Sequence, residues 1–258
     1  SPTHEVRIHD KDPKRNLHTI EEVLECDYVF VCVPTPMNQD GSCYTEMVNE
    51  VIKDVNRLTT EKKTLIIKST IPPGTSEGWN KQYDNVDIVF NPEFLTEANS
   101  IEDFKNQNRI IIGGPRPATT KVRRIFKKAF PKVPIIKTGS TTAEMVKYVT
   151  NCFLATKVSF ANEMYNVCEK LDIDYDKVIE YAQHDDRLGN SHWEVPGPDG
   201  KVGFGGSCFP KDILAMIYIG EELGMDLNTL QGAWETNTEV RPERDWEQLK
   251  GRSIRKDN

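Results

Sequence analysis

Five short apolar runs spaced through the first half of the chain limit its fold more than any other feature. DYVFVCV (27–33), TLIIKST (64–70), VDIVF (86–90), RIIIGG (109–114) and VPIIKTG (133–139) are rich in β-branched residues and nearly continuous rather than alternating. Strands covered on both faces read this way, and such strands belong to parallel sheets. Between them, helical spacing covers 44–59, 75–83 and 117–129. Strands alternating with helices predict a doubly wound α/β layer built on a parallel sheet.

The texture changes near residue 140. TTAEMVKYVTNCFLATKVSFANEMYNVCEKLDI (141–173) has no Gly or Pro and carries apolar residues at helical spacing on more than one face. This predicts a long helix packed against several neighbours. Further helices are expected at 174–183, directly after Cys208, and at 227–239, with a Gly/Pro-rich loop over 184–206. The tail WEQLKGRSIRKDN (246–258) reads as a connector without a partner. Two domains are therefore expected, an α/β layer over 1–139 and a small all-α domain led by a central helix over 140–258.

Composition excludes several function classes. With 258 residues, 37% hydrophobic and 28% charged, the chain has the make-up of one large or two medium globular domains. A net charge of -7 argues against nucleic acid or an anionic membrane as the main partner. The basic run KVRRIFKK (121–128) fits the exposed face of a helix. Six cysteines, at 26, 32, 43, 152, 168 and 208, form no CxxC pair and no Cys/His metal spacing. Reduced thiols, a cytoplasmic setting and no metal are the expectation. No apolar run approaches the ~20 residues of a membrane span, and no leader-like segment is read at the start.

Three of the apolar runs end in polar, turn-forming residues: VPTP (33–36), STIPPG (69–74) and FNPEFLTE (90–97). Ligands of open α/β sheets bind outside the carboxyl ends of the strands. Thr35, Thr70, Glu93 and Glu97 therefore fall where a ligand should lie. Ordinary loop punctuation explains any one of the three runs, but explains all three together less well. On the long helix, Lys147 and Asn151 sit four apart and share a face, although either alone reads as a solvated residue.

GFGGSCFPKD (203–212) carries the sharpest chemical signal. Gly203, Gly205 and Gly206 permit conformations and close approaches that a Cβ forbids. Pro210 suits the first turn of a helix, and Ile213, Leu214, Ile217 and Tyr218 continue it at helical spacing until about Gly224. Cys208 thus precedes a helix N-terminus, with Lys211 close by, a setting that favours the thiolate. Asp212 lies one turn on, on the same face. A lone cysteine is ordinarily a small buried hydrophobe; the glycine loop, the helix start and the Lys-Asp pair point instead to a nucleophile.

These motifs resemble the NAD-dependent nucleotide-sugar dehydrogenases of the UDP-glucose 6-dehydrogenase type, the UDP-glucose/GDP-mannose dehydrogenase family. The matching stretches are HEVRIHDKDP (4–13), VCVPTPMNQDGS (31–42), IIKSTIPPG (66–74), FNPEFLTEANS (90–100), RIIIGG (109–114), AEMVKYVTN (143–151), KVSFANE (157–163) and GFGGSCFPKD (203–212), in the family's order. The resemblance implies oxidation of a sugar C6 alcohol to a carboxylate in two hydride transfers to NAD, through a thioester on the enzyme. It implies that Cys208 is the nucleophile and that Lys147 and Asn151 stabilise the oxyanion. Asp212 is implied to organise a proton relay, and Glu93 to be the base for thioester hydrolysis, with Thr70 holding the water. Asp10, Thr35, Thr70 and Glu97 are implied to meet the cofactor. Phe94, Leu95, Glu97, Arg109, Lys147, Asn151, Phe204, Gly205 and Lys211 are implied to line the nucleotide-sugar site. The family is commonly dimeric through its central helix, and Met145, Val149, Phe153, Val158 and Phe160 fit such a homodimer or an intrachain core equally.

Set against the family's order, SPTHEV looks like the end of a first helix leading into the second strand, no GxGxxG occurs, and a third domain is expected after LKGR (249–252). The layer is thus expected to be an incomplete Rossmann-like sheet, with its second helix abbreviated or missing between Asp10 and Asp27. The parent protein is expected to be active, and these 258 residues alone to turn over little or nothing. UDP-glucose is the expected sugar nucleotide, with GDP-mannose and UDP-N-acetylmannosamine as alternatives. Two other readings compete. A single-step dehydrogenase of the 6-phosphogluconate or hydroxyacid kind would use a lysine without a nucleophilic cysteine. A catalytically impaired sugar-nucleotide binding or dimerisation module would bind the sugar nucleotide without NAD.

Overall fold

The computed structural model describes residues 4–96 and 99–256, in which the chain divides into two compact units. The first comprises Ser1–Pro34 and Thr45–Lys147. Its elements are α1 (Ile20–Leu24), β1 (Tyr28–Val31), α2 (Glu46–Leu58), β2 (Lys63–Ile67), α3 (Thr75–Gln82), β3 (Val86–Phe90), α4 (Ser100–Lys105), β4 (Ile110–Gly113), α5 (Ala118–Ala129), β5 (Ile135–Thr138) and the start of α6 (Ser140–Leu171). The strands form one five-stranded sheet in the order β1-β2-β3-β4-β5.

The continuous apolar runs of β2, β3 and β4 are explained by burial on both faces, whereas the flanking β1 and β5 leave Phe30 and Ile136 exposed. Leu65, Ile67, Ile88 and Phe90 face one core cluster with Val48 and Ile52 of α2, whereas Ile66, Val89 and Ile112 face another with Val122 and Phe126 of α5. Each of these side chains contributes about 1.5–3 kcal/mol on leaving water. Pairing is parallel for β1–β2 (Tyr28↔Thr64), β2–β3 (Lys63↔Val86) and β4–β5 (Ile110↔Ile135).

Two expectations require correction in this unit, and a third is met. The sheet is not wholly parallel: β4 runs antiparallel to β3, meeting it at Phe90↔Gly113. A parallel neighbour needs a crossover packed on the sheet, and α4, the helix between these strands, buries none of its residues. HEVRIHD is not a strand. Its backbone bonds close a local loop instead, with Ile8 O accepting from Leu17 and His18 N–H and Ile8 N–H donating to His18 Nδ1. The expectation that is met is the abbreviated second helix: it is the five-residue α1, held by a capping box between Thr19 and Glu22.

The second unit comprises Thr35–Tyr44 and Tyr148–Asn258. It holds the remainder of α6, then α7 (Tyr175–Ala182), α8 (Phe209–Glu222) and α9 (Asn228–Val240), with short 3₁₀ turns at Asp186–Leu188 and Asp245–Gln248. Tyr148, Cys152 and Ala155 of α6 pack with Ile213, Met216 and Ile217 of α8 and Ala233 of α9. As far as residue 256 the tail is docked rather than free, which corrects the connector reading. Trp246 is fully buried against Trp234, and the 35–44 arm pairs with it through Met37 N–H to Ser253 O (2.8 Å) and Arg255 N–H to Met37 O (3.1 Å). No helix among the described residues is long and apolar enough to cross a membrane.

Candidate active site

In the first unit, the carboxyl ends of β2 and β3 bring charged side chains together. Lys147, with a side chain only 3% exposed, donates to Glu93 O (2.7 Å) and Glu93 Oε1 (3.0 Å). It is therefore not the solvated helix lysine that its position alone suggests. Glu93 Oε2 accepts the N–H of Leu95 (2.8 Å), fixing the carboxylate over its own turn. The Arg109 guanidinium lies 4.2 Å from the centre of the Phe94 ring, and Lys147 Nζ lies 5.6 Å from it. Glu93, Phe94, Leu95 and Arg109 line a cleft of about 280 Å³ together with Lys68, Thr96 and Asp103. Burial pulls the Lys68 ammonium down to about 8, opposed by the nearby charge of Glu93.

The turn that carries Thr70, itself buried, is anchored to α6. Gly74 adopts φ +93°, a left-handed conformation suited to glycine, and caps α3. The fully buried Glu144 accepts Gly74 N–H (2.6 Å) on one carboxylate oxygen and Ser76 N–H (2.9 Å) on the other. A carboxylate at a helix N-terminus is favourably placed, although burial still pushes the Glu144 carboxyl above its ordinary range. Glu144 lies one turn before Lys147, so a single helix segment fixes the STIPPG turn and also supplies the ammonium facing Glu93.

In the second unit, Cys208 is the N-cap residue of α8, and its Sγ lies 3.9 Å from Ser207 Oγ. Asp212, 1% exposed, donates its N–H to Cys208 O (3.0 Å). Its carboxylate accepts from Asn151 Nδ2 (2.6 Å) and Lys211 Nζ (2.5 Å). Asn151 is thus a buried partner of Asp212 rather than a helix-surface residue. Burial works against the Lys211 ammonium, but Asp212, with Cys43 and Cys208, outweighs it and holds Lys211 above its ordinary value. Cys152, on the α6 face opposite Asp212, is pushed far up by burial and is an inert thiol.

The glycine loop before Cys208 is held by three polar side chains. Gly203 N–H donates to Asn162 Oδ1 (3.0 Å), and Asn237 accepts Phe204 N–H (2.6 Å) while donating to Phe204 O (3.0 Å). Arg241, 1% exposed, is pinned by Asp199 (2.8 Å) and Asp245 (2.7 Å) and reaches Val202 O (3.4 Å). It lies so close to the loop that a Cβ on Gly205 would stand 2.4 Å from Arg241 Nη2. The glycine permits the arginine's approach, and the arginine fixes the loop's path.

Other candidates are placed as follows. Phe204 is buried, with Phe209 and Trp234 rings around it. Thr35 is buried in the 35–44 arm. Asp10 is half-buried in a turn, where its carboxylate accepts Asp12 N–H (2.8 Å). Glu97 lies outside the described residues. Sequence reasoning missed Lys68, Glu144, Asn162, Asn237 and Arg241. The first three stand inside motifs that it did single out, IIKST, AEMVKYVTN and KVSFANE.

Two family models match the chain. The NAD binding domain of the UDP-glucose/GDP-mannose dehydrogenase family covers residues 8–130, and the central domain of that family covers 141–239. Among curated relatives, UDP-glucose 6-dehydrogenase TuaD of Bacillus subtilis (strain 168) is 34% identical over 222 residues, covering 83% of this chain and 47% of the relative. UDP-glucose 6-dehydrogenase AglM of Haloferax volcanii is 33% identical over 241 residues, covering 87% and 55%. A solved UDP-glucose dehydrogenase from the hyperthermophilic archaeon Pyrobaculum islandicum superimposes with a TM-score of 0.77 at 33% identity, covering 85% of this chain and 52% of that one. The chain spans about half the length of the curated relatives it matches.

Proposed function

The chain belongs to the UDP-glucose/GDP-mannose dehydrogenase family, and on that premise we propose that it carries the catalytic residues of an NAD-dependent oxidation of a nucleotide sugar, UDP-glucose to UDP-glucuronate. The single observation that carries this reading is Cys208 at the N-cap of α8, set on a glycine loop that Asn162, Asn237 and Arg241 hold in place, with Asp212 and Lys211 beside it. A packed structural cysteine needs none of these supports.

NAD, when bound, would accept one hydride in each of the two oxidation steps, so that two NAD are reduced per product. The carboxyl edge of the sheet suits such a ligand. Thr70 and Thr35 offer hydroxyls, and Asp10, in the loop ahead of α1 rather than at a strand end, offers a carboxylate to a ribose; with Glu97 these are the residues proposed to hold it. Phe94, Leu95, Glu97, Arg109, Phe204, Gly205 and Lys211 are proposed to hold the sugar nucleotide. The Cys208 thiolate adds to the aldehyde carbon as the C=O π pair moves onto oxygen, giving a thiohemiacetal whose oxyanion is stabilised by the Lys147 ammonium and the Asn151 amide; departure of the second C6 hydride re-forms the C=O as a thioester. Asp212 orders the proton transfers around Asn151 and Lys211. Once the thioester stands on Cys208, water attacks its carbonyl carbon, the C–S bond breaks, and the water proton passes to Glu93 with Thr70 orienting the water. Val149, Phe153 and Phe160 are left exposed along α6, at 55%, 66% and 48%. A homodimer through this helix would cover them.

Incubation of the intact protein with NAD and UDP-glucose, with GDP-mannose and UDP-N-acetylmannosamine in parallel, tests the reading. UDP-glucuronate formed with two NADH per product supports it. Binding of the sugar nucleotide without NAD binding or turnover would mark a binding module instead.

A further inference from the structure

Lys68 follows β2 at the carboxyl end of the sheet, where its N–H donates to Val31 O (2.9 Å). Its side chain turns to the end of the next strand. Nζ donates to Asn91 Oδ1 (2.8 Å) and lies 3.5 Å from Pro92 O. Asn91 is itself fixed. It is 2% exposed, its N–H donates to Ile67 O (2.9 Å), and its Nδ2 donates to Ile111 O (2.7 Å) on β4. From α6, Lys147 holds the following residue by Glu93 O and Glu93 Oε1. Two ammonium groups from different elements therefore grip three consecutive residues, Asn91, Pro92 and Glu93.

A half-buried lysine has a cost, because an ammonium loses hydration there. The groups facing Lys68 divide in sign. Lys147 on α6 opposes its charge, while Glu93 on the β3 loop and Cys32 at the end of β1 support it. A residue serving only to pack the sheet edge would be apolar at this place, as Ile66 and Ile67 are just before it. We propose that Lys68 is a positioning residue for Glu93: by gripping Asn91 and Pro92, its ammonium sets the turn that presents the Glu93 carboxylate to Lys147. The catalytic meaning of this placement rests on the reading in which Glu93 takes the proton of the water that hydrolyses the thioester. The placement itself does not. The grip is also pH-dependent, since burial brings Lys68 to about 8, and a neutral amine holds a carbonyl and an amide oxygen less strongly than an ammonium does.

The test uses Lys68→Met and Lys68→Arg in the intact protein, with Lys68→Gln in reserve should the methionine variant fold poorly. Crystal structures give an activity-independent readout. In Lys68→Met (or Lys68→Gln) the Glu93 Oε1–Lys147 Nζ contact should open beyond hydrogen-bonding distance, whereas in Lys68→Arg it should stay. An unchanged contact near 3.0 Å in the uncharged variant overturns the proposal. Kinetics give the second readout. Thioester hydrolysis should slow about 10- to 100-fold in Lys68→Met, the scale of a misplaced catalytic group. In Lys68→Arg it should return to near wild type and lose the alkaline limb near pH 8. Equal losses in both variants, with an unshifted pH profile, would mean a merely structural role and would also overturn it. If Glu93 moves in the crystal while the wild type forms no Cys208 adduct, the function proposed above fails and the positioning stands.

Discussion

The burial of Lys68 makes a quantitative statement about stability that Lys68→Met can test. Lys68 is pulled from 10.5 to about 8 in the folded protein, chiefly by loss of hydration. A depressed folded value means that the unfolded chain binds more protons over this interval, so stability rises with pH. The contribution is complete above the unfolded lysine value and is lost as pH falls through about 8. At about 1.36 kcal/mol per pH unit, the wild type should gain about 2.5 kcal/mol on Lys68→Met between pH 7 and pH 10. The Asn91 Oδ1 atom left without its donor in the variant costs stability too, but equally at all pH values, so the slope isolates the ammonium. Urea unfolding of both proteins at pH 7, 8, 9 and 10, in a Cys32→Ser background that removes the neighbouring thiol, measures the difference. A difference that stays flat across this range would show that the Lys68 ammonium keeps its hydration, refuting the burial on which its role depends.

Gly205→Ala sets a Cβ against the pinned Arg241 guanidinium; it should lower stability by about 1–3 kcal/mol, read as a fall in Tm, and Arg241→Ala in the same chain should recover part of it. Glu144→Ala leaves the N–H groups of Gly74 and Ser76 without their buried acceptor; a loss of about 2–4 kcal/mol is expected by urea unfolding, and a loss near zero would show that the STIPPG turn is held by other contacts. Because burial raises the Glu144 carboxyl, its contribution is full below the ordinary carboxylate range and shrinks as pH rises through the raised value; the stability gap between wild type and Glu144→Gln should narrow in that direction. Cys208→Ser should lower formation of the uronic acid by about a thousandfold or more, because a serine alkoxide is far harder to form than a thiolate; full activity would favour a single-step dehydrogenase.

Much of the layout is legible in local pattern. The five strands and the long helix appear within a few residues of their expected places, because continuous apolar runs and a Gly/Pro-free helical spacing are properties of adjacent residues. The direction of β4 is not legible, since an apolar run buried on both faces reads alike in either direction and the decision lies in whether α4 covers the sheet. HEVRIHD stands where the family's order implies a strand, and only the bonds from Leu17 and His18 reveal a loop. The residues that brace the site are hidden for a related reason. Lys68 meets Asn91 across 23 residues, Phe204 meets Asn237 across 33, and Glu144 meets Gly74 across 70. A single polar residue inside an apolar run carries no sign of a partner so far away. Trp246 misleads in the same way: a polar tail surrounds it, and its burial depends on α9.

Mass analysis of Cys208 in the intact protein, quenched during turnover with UDP-glucose and NAD, tests the central claim most directly. A sugar-nucleotide acyl group on the Cys208-containing peptide, enriched in Glu93→Gln and absent from Cys208→Ser, is the predicted result. Turnover to the uronic acid with Cys208 unmodified in both wild type and Glu93→Gln would contradict it.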